Sequence, residues 1–249
     1  MKIKIPVIIK SAIATIEPET ETKVIYKNIR QARFIDRPNR FIANIEIDGR
    51  KEICHVKNTG RCKELLIPGV TIFVQEFDNT SRKTRYDLIG ILKGDRFVNI
   101  DSQAPNKVFA EWISKGNLFK DITLLKPEAK FKTSRFDFYI ETINEKIFIE
   151  IKGVTLEDNN VVLFPDAPTE RGVKHIQELM ECVSEGYKAY IVFVIQLRDV
   201  DYFTPNAGTH KEFAAAIKAA GEKGVNVLAY DCNVGKDFVE ISKSVEVRL

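Results

Sequence analysis

The spacing of apolar positions divides the chain into two parts with different periods. From Phe34 to about Ile100, apolar and polar residues alternate in short runs that turn-forming residues separate. The run "FIANIEIDG" is the clearest, because it alternates and ends in Asp-Gly, a pair typical of tight hairpin turns. Further strands are predicted in "KEICHV", in "VTIFVQEF" and in "TRYDLIGILKGDRFVNI", which turns at Gly94-Asp95. About five short strands within roughly seventy residues predict a small barrel of the OB type.

Beyond residue 103 the apolar period becomes that of helices. One helix is predicted over "APNKVFAEWISKG", with Pro105 near its start and Gly116 past its end. Two more helices, in "FPDAPTERGVKHIQELMECVSEGY" and "THKEFAAAIKAAGEKG", alternate with the apolar strands "KAYIVFVIQL" and "VNVLAYDC". This order predicts an α/β (α+β) domain with a mixed sheet flanked by helices. The predicted organisation is an N-terminal extension (1–30), an OB-type domain (31–103) and the α/β domain (104–249).

A hairpin between the first two helices carries charges inside apolar strands. In its first strand, alternation predicts one shared face for Phe136, Phe138 and Ile140. In its second strand, alternation predicts one face for Ile147, Ile149 and Ile151 and the opposite face for Phe148, Glu150 and Lys152.

The predicted register of this hairpin opposes two carboxylates. A turn centred between Ile143 and Asn144 pairs Asp137 with Glu150, with Cβ atoms roughly 4.5–5.5 Å apart. Like charges opposed in this way are destabilising unless a cation lies between them, and a divalent metal ion is the natural candidate. The plainer alternative is that both charges face water and Lys152 offsets them.

Composition narrows the class of protein. The chain has 249 residues, of which 44% are hydrophobic and 29% charged, as in soluble globular proteins. It has no apolar run of about eighteen residues, and Lys4, Pro6 and Lys10 interrupt its apolar opening, so neither a transmembrane helix nor a signal peptide is predicted. The 4 cysteines and 3 histidines lack zinc-site spacing, so reduced and mostly buried thiols are expected. A cytoplasmic protein without membrane contact is predicted.

Positive charge is concentrated in the predicted barrel. Residues 1–103 contain 19 Lys and Arg against 13 Asp and Glu, whereas the remainder contains 19 against 22. OB barrels bind oligonucleotides with basic and aromatic side chains. The candidate nucleic-acid contacts here are Arg37, Arg40, Arg61, Lys63, Arg82 and Lys83. Phe34, Phe41 and Tyr86 are candidate stacking faces, and the alternative of a ring in the barrel core applies most to Phe41.

Several longer motifs make the chain resemble a known family. "NTGRCKELLIPG", "RKTRYDLIG", "RFDFYIE", "IEIKGVTL" and "FPDAPTERGVKHIQEL" together resemble the sugar fermentation stimulation protein (SfsA) family over roughly residues 33–233. Asp137 followed by Glu150-Ile151-Lys152 resembles the D…E-x-K pattern of the PD-(D/E)xK nuclease superfamily. The resemblance implies an N-terminal OB-type domain, a nuclease-like C-terminal domain and DNA binding without marked sequence preference. One departure is Lys57, which stands before "NTG" where the family usually has proline; it could loosen the loop or add a phosphate contact.

The resemblance also implies roles for individual residues. Asp137 and Glu150 would hold Mg²⁺ or Mn²⁺, hard ions that prefer oxygen ligands, and Lys152 would stabilise the developing charge. Glu111 corresponds to a third carboxylate that the superfamily often has in the preceding helix, although it could instead be an exposed helix residue. Contacts to the nucleic-acid backbone are expected from Arg171, Lys174 and His175, with a purely structural histidine as the alternative for His175.

Two functions of different classes follow. The first is a Mg²⁺-dependent phosphodiester hydrolase acting on nucleic acid, DNA rather than RNA, and a homodimer would suit a nuclease that cuts both strands of a duplex. The second is a non-catalytic, sequence-nonspecific DNA-binding regulator linked to sugar (maltose) metabolism, as the family name implies. A third and weaker alternative is a sugar-binding OB module. The absence of a helix-turn-helix signature argues against sequence reading in the major groove.

Overall fold

The computed structural model describes residues 24–58 and 60–249, and its first part is a closed β-barrel. A short strand, β1 (Val24–Ile25), precedes the barrel. The barrel region contains β2 (Ile29–Asn39), β3 (Ile42–Ile47), β4 (Arg50–Val56), β5 (Thr71–Glu76), β6 (Tyr86–Lys93) and β7 (Arg96–Asn99). The strand order is β4-β3-β2-β5-β6-β7, and a parallel pairing of β4 with β6 closes a ring of which β7 is not a part. The predicted OB-type barrel is therefore confirmed.

The predicted Asp-Gly hairpin joins β3 to β4. Asp48 and Gly49 have φ of +51° and +73°, the left-handed conformation that a two-residue turn between twisted strands requires. The predicted hairpin at Gly94-Asp95 likewise joins β6 to β7, with φ of +59° at Gly94. Local turn chemistry was thus sufficient to place these strand ends.

The predicted N-terminal extension, residues 1–30, lies mostly outside the described residues, which begin at residue 24. β1 pairs antiparallel with Phe238 and Val239 near the end of the chain. β2 begins at Ile29, so the barrel already takes in the last residues of the predicted extension.

The second part of the chain is an α/β unit with two sheets. Its helices are α1 (Ala104–Ser114), α2 (Glu170–Ser184) and α3 (Lys211–Glu222). Its strands are β8 (Ile122–Phe131), β9 (Ser134–Thr142), β10 (Lys146–Val154), β11 (Glu157–Asp158), β12 (Val161–Phe164), β13 (Lys188–Ile195), β14 (Tyr202–Pro205), β15 (Asn226–Val234), β16 (Phe238–Ser244) and β17 (Glu246–Val247). The larger sheet has the order β1-β16-β15-β13-β10-β9-β8, and the smaller one β11-β12-β14-β17. Because β10, β13 and β15 are parallel and the flanking pairs antiparallel, the predicted mixed sheet is confirmed.

Helices cover both faces of the larger sheet. On one face, α1 packs through Val108 in the same core cluster as Ile149 of β10. On the other face, α2 and α3 pack through Ile176 and Phe213 in the cluster that contains Phe148 of β10. Since successive residues of β10 alternate between these faces, the strand presents Glu150 and Lys152 on the side of α2, as the alternation predicted.

The register predicted for the β9–β10 hairpin is confirmed. The ladder pairs Glu141 with Lys146 and runs without a shift to Phe138 opposite Ile149. Asp137 and Glu150 come next in this register. The ladder ends before them, so the two strands separate where the carboxylates lie.

The predicted shared face of Phe136, Phe138 and Ile140 is wrong for Phe136. Phe138 and Ile140 lie in the cluster beneath α1, but Phe136 lies in the cluster on the side of α2. Glu128, the residue of β8 that the register places opposite Asp137, has φ of +50°. The strands are therefore irregular at this point, and strict alternation does not continue through Asp137.

Composition led to two expectations, one about membrane-spanning helices and one about the cysteine thiols. In residues 24–58 and 60–249, no helix is long and apolar enough to cross a membrane. The 4 cysteines, Cys54, Cys62, Cys182 and Cys232, are free and buried, as expected.

A buried ion pair joins the barrel to the α/β unit. Glu157 of β11 is only 4% exposed, and its carboxylate lies 2.5 Å from Lys93 Nζ and 3.2 Å from Arg96 Nη2. Burial alone would raise the pKa of Glu157, but hydrogen bonds from Lys93 and the Asn160 N–H, with the charges of Lys93 and Arg96, outweigh it and lower the pKa. The pair therefore ties the β6–β7 hairpin to β11.

Replacing Glu157 by glutamine is expected to lower the free energy of unfolding by about 2 kcal/mol at neutral pH, because charge-assisted hydrogen bonds are lost. The lowered pKa means that the wild-type stabilisation is present above the unfolded pKa of about 4.3 and disappears as pH falls through the folded value. Urea unfolding at neutral and acidic pH measures both. Glu46→Gln, on an exposed barrel position, is the control. A difference that persists unchanged in acid would contradict the ion-pair origin.

Candidate functional site

Asp137 lies where β9 and β10 separate, and both of its carboxylate oxygens are hydrogen-bonded. Oδ2 accepts from the backbone N–H of Ile151 at 2.7 Å, and Oδ1 accepts from Asn106 Nδ2 of α1 at 2.7 Å. The carboxylate thus bridges the gap between the strands. Both donors are neutral, so they satisfy the oxygens without neutralising the charge.

The neighbouring carboxylate, Glu150, is buried and only half satisfied. Its side chain is 4% exposed, and Oε1 lies 2.5 Å from Lys152 Nζ and 2.6 Å from His175 Nδ1. Among the described residues, the buried Oε2 has no hydrogen-bond partner. An orphaned carboxylate oxygen in a protein interior is costly, and a bound cation is one way to satisfy it.

His175 connects Glu150 to Arg171 along one face of α2. Arg171 Nε donates to His175 Nε2 at 3.3 Å. Because a guanidinium can only donate, Nε2 accepts, and the ring proton lies on Nδ1 and is donated to Glu150. His175 is buried and its ring packs edge-on against Phe136, with centroids 6.0 Å apart. The histidine predicted to contact a phosphate therefore orients a carboxylate.

The environments of the two carboxylates move their pKa values apart. Burial, and then the nearby charge of Glu150, raise the pKa of Asp137 despite its hydrogen bonds from Ile151 and Asn106. Burial would raise the pKa of Glu150 too, but hydrogen bonds from His175 and Lys152, with the charge of Lys152, outweigh it and lower the pKa. Asp137 is thus the carboxylate that lacks a positive partner, and a cation between the two would supply one.

The structure does not bring the predicted third carboxylate, Glu111, to this site by any contact. Burial raises the pKa of Glu111, despite the charges of Lys115 and Lys107 of its own helix. In the part of the chain that the structure describes, no group of three or more His, Cys, Asp or Glu side chains forms a ready-made metal cage. The catalytic role of Glu111 stays a prediction.

Asn106, not Glu111, is the α1 residue that reaches the fork, the point where β9 and β10 separate at Asp137 and Glu150. It was not among the predicted site residues. Its position follows from close packing between the start of α1 and the end of β10. A Cβ on Gly153 would lie 2.6 Å from Pro105 and 2.8 Å from Gln196, so only glycine permits this approach. Gly153 directly after Lys152 was the available signal.

A cleft of about 500 Å³ opens beside the fork, between the barrel and the α/β unit. On the α/β side, its wall includes Gly153 and Thr155, which follow Lys152 in the chain. On the barrel side, it includes Arg40 and Arg61. The wall also includes the carboxylate of Asp166, which accepts a hydrogen bond from the Arg61 backbone N–H at 2.8 Å. Asp166 was not among the predicted site residues. The cleft therefore carries charged groups on both sides, and its lining continues along the chain from the Glu150–Lys152 segment.

Arg37 holds the barrel side of this cleft together. Its guanidinium donates to the backbone carbonyls of Arg40 at 2.8 Å, Asn58 at 2.6 Å, Gly60 at 2.9 Å and Arg61 at 3.1 Å. The β2–β3 turn is thereby joined to Asn58, Gly60 and Arg61. Arg37, predicted to contact nucleic acid, thus has both Nη groups occupied by the protein itself, while its buried Nε has no partner among the described residues.

The other predicted basic contacts occupy different parts of the surface. Arg40, Arg61, Lys63 and Lys83 are exposed, and so are Arg171 and Lys174 on α2. Arg82 forms an ion pair with Asp87 and lies 4.0 Å over the Phe77 ring. Lys57, the residue that departs from the family pattern, forms an ion pair with the buried Asp101 at 2.9 Å. Lys57 therefore has a structural role in this chain.

The exposure of the three candidate stacking rings is the reverse of the expectation. Phe34 and Tyr86 are buried, at 2% and 4% exposure, whereas Phe41 is 53% exposed. The alternative of a core ring, applied mainly to Phe41, was wrong for that residue. Phe41 stands at the end of the β2–β3 turn, where the alternating pattern of β3 has not yet begun.

The chain is similar in sequence to known proteins over most of its length. Two family models match the chain, "SfsA N-terminal OB domain" over residues 35–100 and "Sugar fermentation stimulation protein RE domain" over residues 103–238. The sugar fermentation stimulation protein homolog of Ruminiclostridium cellulolyticum is 64% identical over 224 residues, which are 90% of this chain and 99% of that protein. The homolog of Clostridium beijerinckii is 62% identical over the same shares. The chain belongs to the SfsA family.

A solved SfsA structure has the same fold. Pyrococcus furiosus SfsA, described as a complex with Ca²⁺, superposes with a TM-score of 0.84 at 29% identity, covering 91% of this chain and 99% of that one. The OB-domain match covers the barrel from Ile35 of β2 onward, and the fork with Asp137, Glu150 and Lys152 falls within the RE-domain match.

Proposed function

We propose that the chain is a Mg²⁺-dependent phosphodiester hydrolase that cuts nucleic acid, with Mn²⁺ as the alternative ion. The observation that carries this proposal is the unpartnered buried Oε2 of Glu150 beside Asp137, whose pKa is raised. These two features fit one divalent cation held by both carboxylates, since Mg²⁺ takes oxygen ligands and keeps several waters. The description of the Pyrococcus furiosus relative as a complex with Ca²⁺ supports a hard divalent cation.

The chain's own side chains have distinct roles in this reaction. A bound Mg²⁺ would polarise the phosphate and lower the pKa of a coordinated water. Lys152, on the same face as Glu150, places an ammonium where negative charge develops on the phosphate oxygens. His175 fixes the orientation of Glu150, and Arg171 fixes the tautomer of His175. The free guanidinium groups of the barrel supply phosphate contacts.

A second candidate is the non-catalytic DNA-binding regulator linked to sugar metabolism. The exposed guanidinium groups along the cleft favour it as much as the hydrolase, because they contact phosphates whether or not the strand is cut. A nuclease fold can also persist as a binding module. The complete set of Asp137, Glu150 and Lys152 favours the hydrolase.

A cleavage assay separates the two. End-labelled single- and double-stranded DNA and RNA are incubated with the protein and Mg²⁺, Mn²⁺ or EDTA. Metal-dependent products, formed faster from DNA than from RNA, are expected. Salt-sensitive binding without cutting of any substrate would contradict the hydrolase and leave the regulator. Binding that does not respond to salt would instead favour the sugar-binding barrel.

Replacing His175 by alanine is expected to lower metal-dependent cleavage and Ca²⁺ affinity by about 10–100-fold, because Glu150 loses the donor that orients it. His175→Asn is expected to recover part of both losses, since its amide N–H can take the place of Nδ1–H. Cleavage rates and calorimetric Ca²⁺ titration measure the effect. An alanine variant with unchanged Ca²⁺ affinity would show that the histidine is only structural.

A further inference from the structure

The exposed ring of Phe41 is an unusual surface feature of the barrel. At 53% exposure it lies outside both hydrophobic core clusters, whereas the other two candidate rings belong to the barrel core or its wall. Its own N–H is bonded to Asn39 Oδ1 at 2.9 Å, and its carbonyl accepts from the Val56 N–H at 2.8 Å. The backbone is thus held at both polar groups while the ring remains in solvent, as a rigid aromatic platform.

Phe41 directly follows the first of two unpaired guanidinium groups in the chain. Arg40 precedes it, and Arg37 ties the carbonyl of Arg40 to the loop that carries Arg61. Arg40 and Arg61 both line the cleft, and within the described residues neither guanidinium has a hydrogen-bond or ion-pair partner. Two positive charges, and an exposed ring next to one of them in the chain, suit the phosphate oxygens and the base face of a nucleotide.

The cleft extends from Arg40 and Arg61 to Gly153, near the end of β10. Its volume of about 500 Å³ is within the range of sites that enclose one small ligand, roughly 300–1,000 Å³, and so suits one or two nucleotides. Its α/β wall begins at Gly153, the residue after Lys152. A strand held at this surface would therefore lie close to the β10 segment that carries Glu150 and Lys152.

We propose that this surface binds one unpaired nucleic-acid strand, with a base stacked on Phe41 and backbone phosphates held by Arg40 and Arg61. The inference rests on the proposed function, for which it names single-stranded substrate. Bases in a duplex are already stacked on their neighbours, so an exposed ring gains a partner only from an unpaired base. A bound duplex would leave the Phe41 ring without a stacking partner. A second copy of the chain could cover Phe41, but it would leave the guanidinium groups of Arg40 and Arg61 unpaired.

Equilibrium binding in EDTA tests the inference apart from cleavage. Fluorescence anisotropy compares a labelled oligothymidylate, an abasic strand of the same length and charge, and a duplex. The wild type is expected to bind the oligothymidylate about tenfold more tightly than the abasic strand, and Phe41→Ala to remove this difference. Arg61→Ala is expected to weaken both single strands alike and reduce the salt slope by about 0.7.

Matched variants and a direct probe complete the experiment. Ile143→Ala, at 72% exposure in the β9–β10 turn, controls for loss of an exposed apolar residue, and Arg50→Ala controls for loss of an exposed arginine at the far end of the β3–β4 hairpin. Phe41→Trp is expected to keep the preference, with indole emission quenched by the oligothymidylate and not by the abasic strand.

Three results would overturn the inference. They are an unchanged oligothymidylate preference in Phe41→Ala, tighter binding of the duplex than of the single strand, or a dimer that Phe41→Ala dissociates without affecting binding. Failure of the hydrolase proposal has a different signature, because a protein that never cuts but shows Phe41-dependent binding retains the single-strand site.

Discussion

Asp137→Asn is expected to reduce metal-dependent cleavage about a thousandfold and Ca²⁺ affinity about a hundredfold. The substitution removes one of the two carboxylates proposed to hold the cation, while the amide keeps the size of the side chain and an acceptor for the Ile151 N–H. Cleavage kinetics and calorimetric Ca²⁺ titration measure the two losses. Wild-type cleavage in this variant would exclude Asp137 as a ligand.

The same variant is expected to be more stable than the wild type at neutral pH in EDTA. Because the pKa of Asp137 is raised in the folded state, the fold binds that proton more tightly than the unfolded chain does. Wild-type stability therefore falls as pH rises from the unfolded value of about 3.9 through the raised folded value, and asparagine has no such loss. Urea unfolding at several pH values checks the sign. Asp121→Asn, at an exposed position, is the control.

Lys152→Met is expected to lower cleavage about 100–1,000-fold without weakening Ca²⁺ binding. The ammonium lies 2.5 Å from Glu150 Oε1, so it repels a cation held by the same carboxylate while stabilising charge on the phosphate. Its removal should therefore leave Ca²⁺ affinity unchanged or raise it, in contrast to Asp137→Asn, which loses both properties. Cleavage rates and Ca²⁺ titration in parallel distinguish a charge-stabilising residue from a ligand-supporting one.

The control for this second prediction is Lys218→Met, on the exposed surface of α3. It removes the same charge at a distance from the fork, and it is expected to change neither the cleavage rate nor the Ca²⁺ affinity. Parallel loss of cleavage and Ca²⁺ affinity in Lys152→Met would show that the lysine only maintains the geometry of Glu150.

Much of the fold was predictable because its signals are local. The Asp48-Gly49 and Gly94-Asp95 turns fixed two barrel hairpins, and the β9–β10 register placed Asp137 next to Glu150. Strands with weaker local signals were missed. β8 is an example, since Pro127 and several exposed charges within it obscure the alternation of an edge strand.

The roles of individual polar residues were less predictable, because they depend on which surfaces pack together. His175 was expected at a phosphate and instead donates to Glu150, since α2 lies against that face of the sheet. Asn106 reaches Asp137 only because Gly153 admits the start of α1. Arg37 and Phe41 lie close together in sequence, yet one is occupied by backbone carbonyls and the other projects into solvent.

By itself, the amino-acid sequence determined the OB-type barrel, the mixed sheet, the family resemblance and the grouping of Asp137, Glu150 and Lys152. All of these depend on periodicity, turn chemistry or hairpin register, which act between residues near one another in the chain. Tertiary structure alone decided which oxygen of Glu150 stays unpaired, which helix residue meets Asp137 and where the cleft opens. Those features arise from contacts between distant segments, and side-chain type and spacing do not encode such contacts locally.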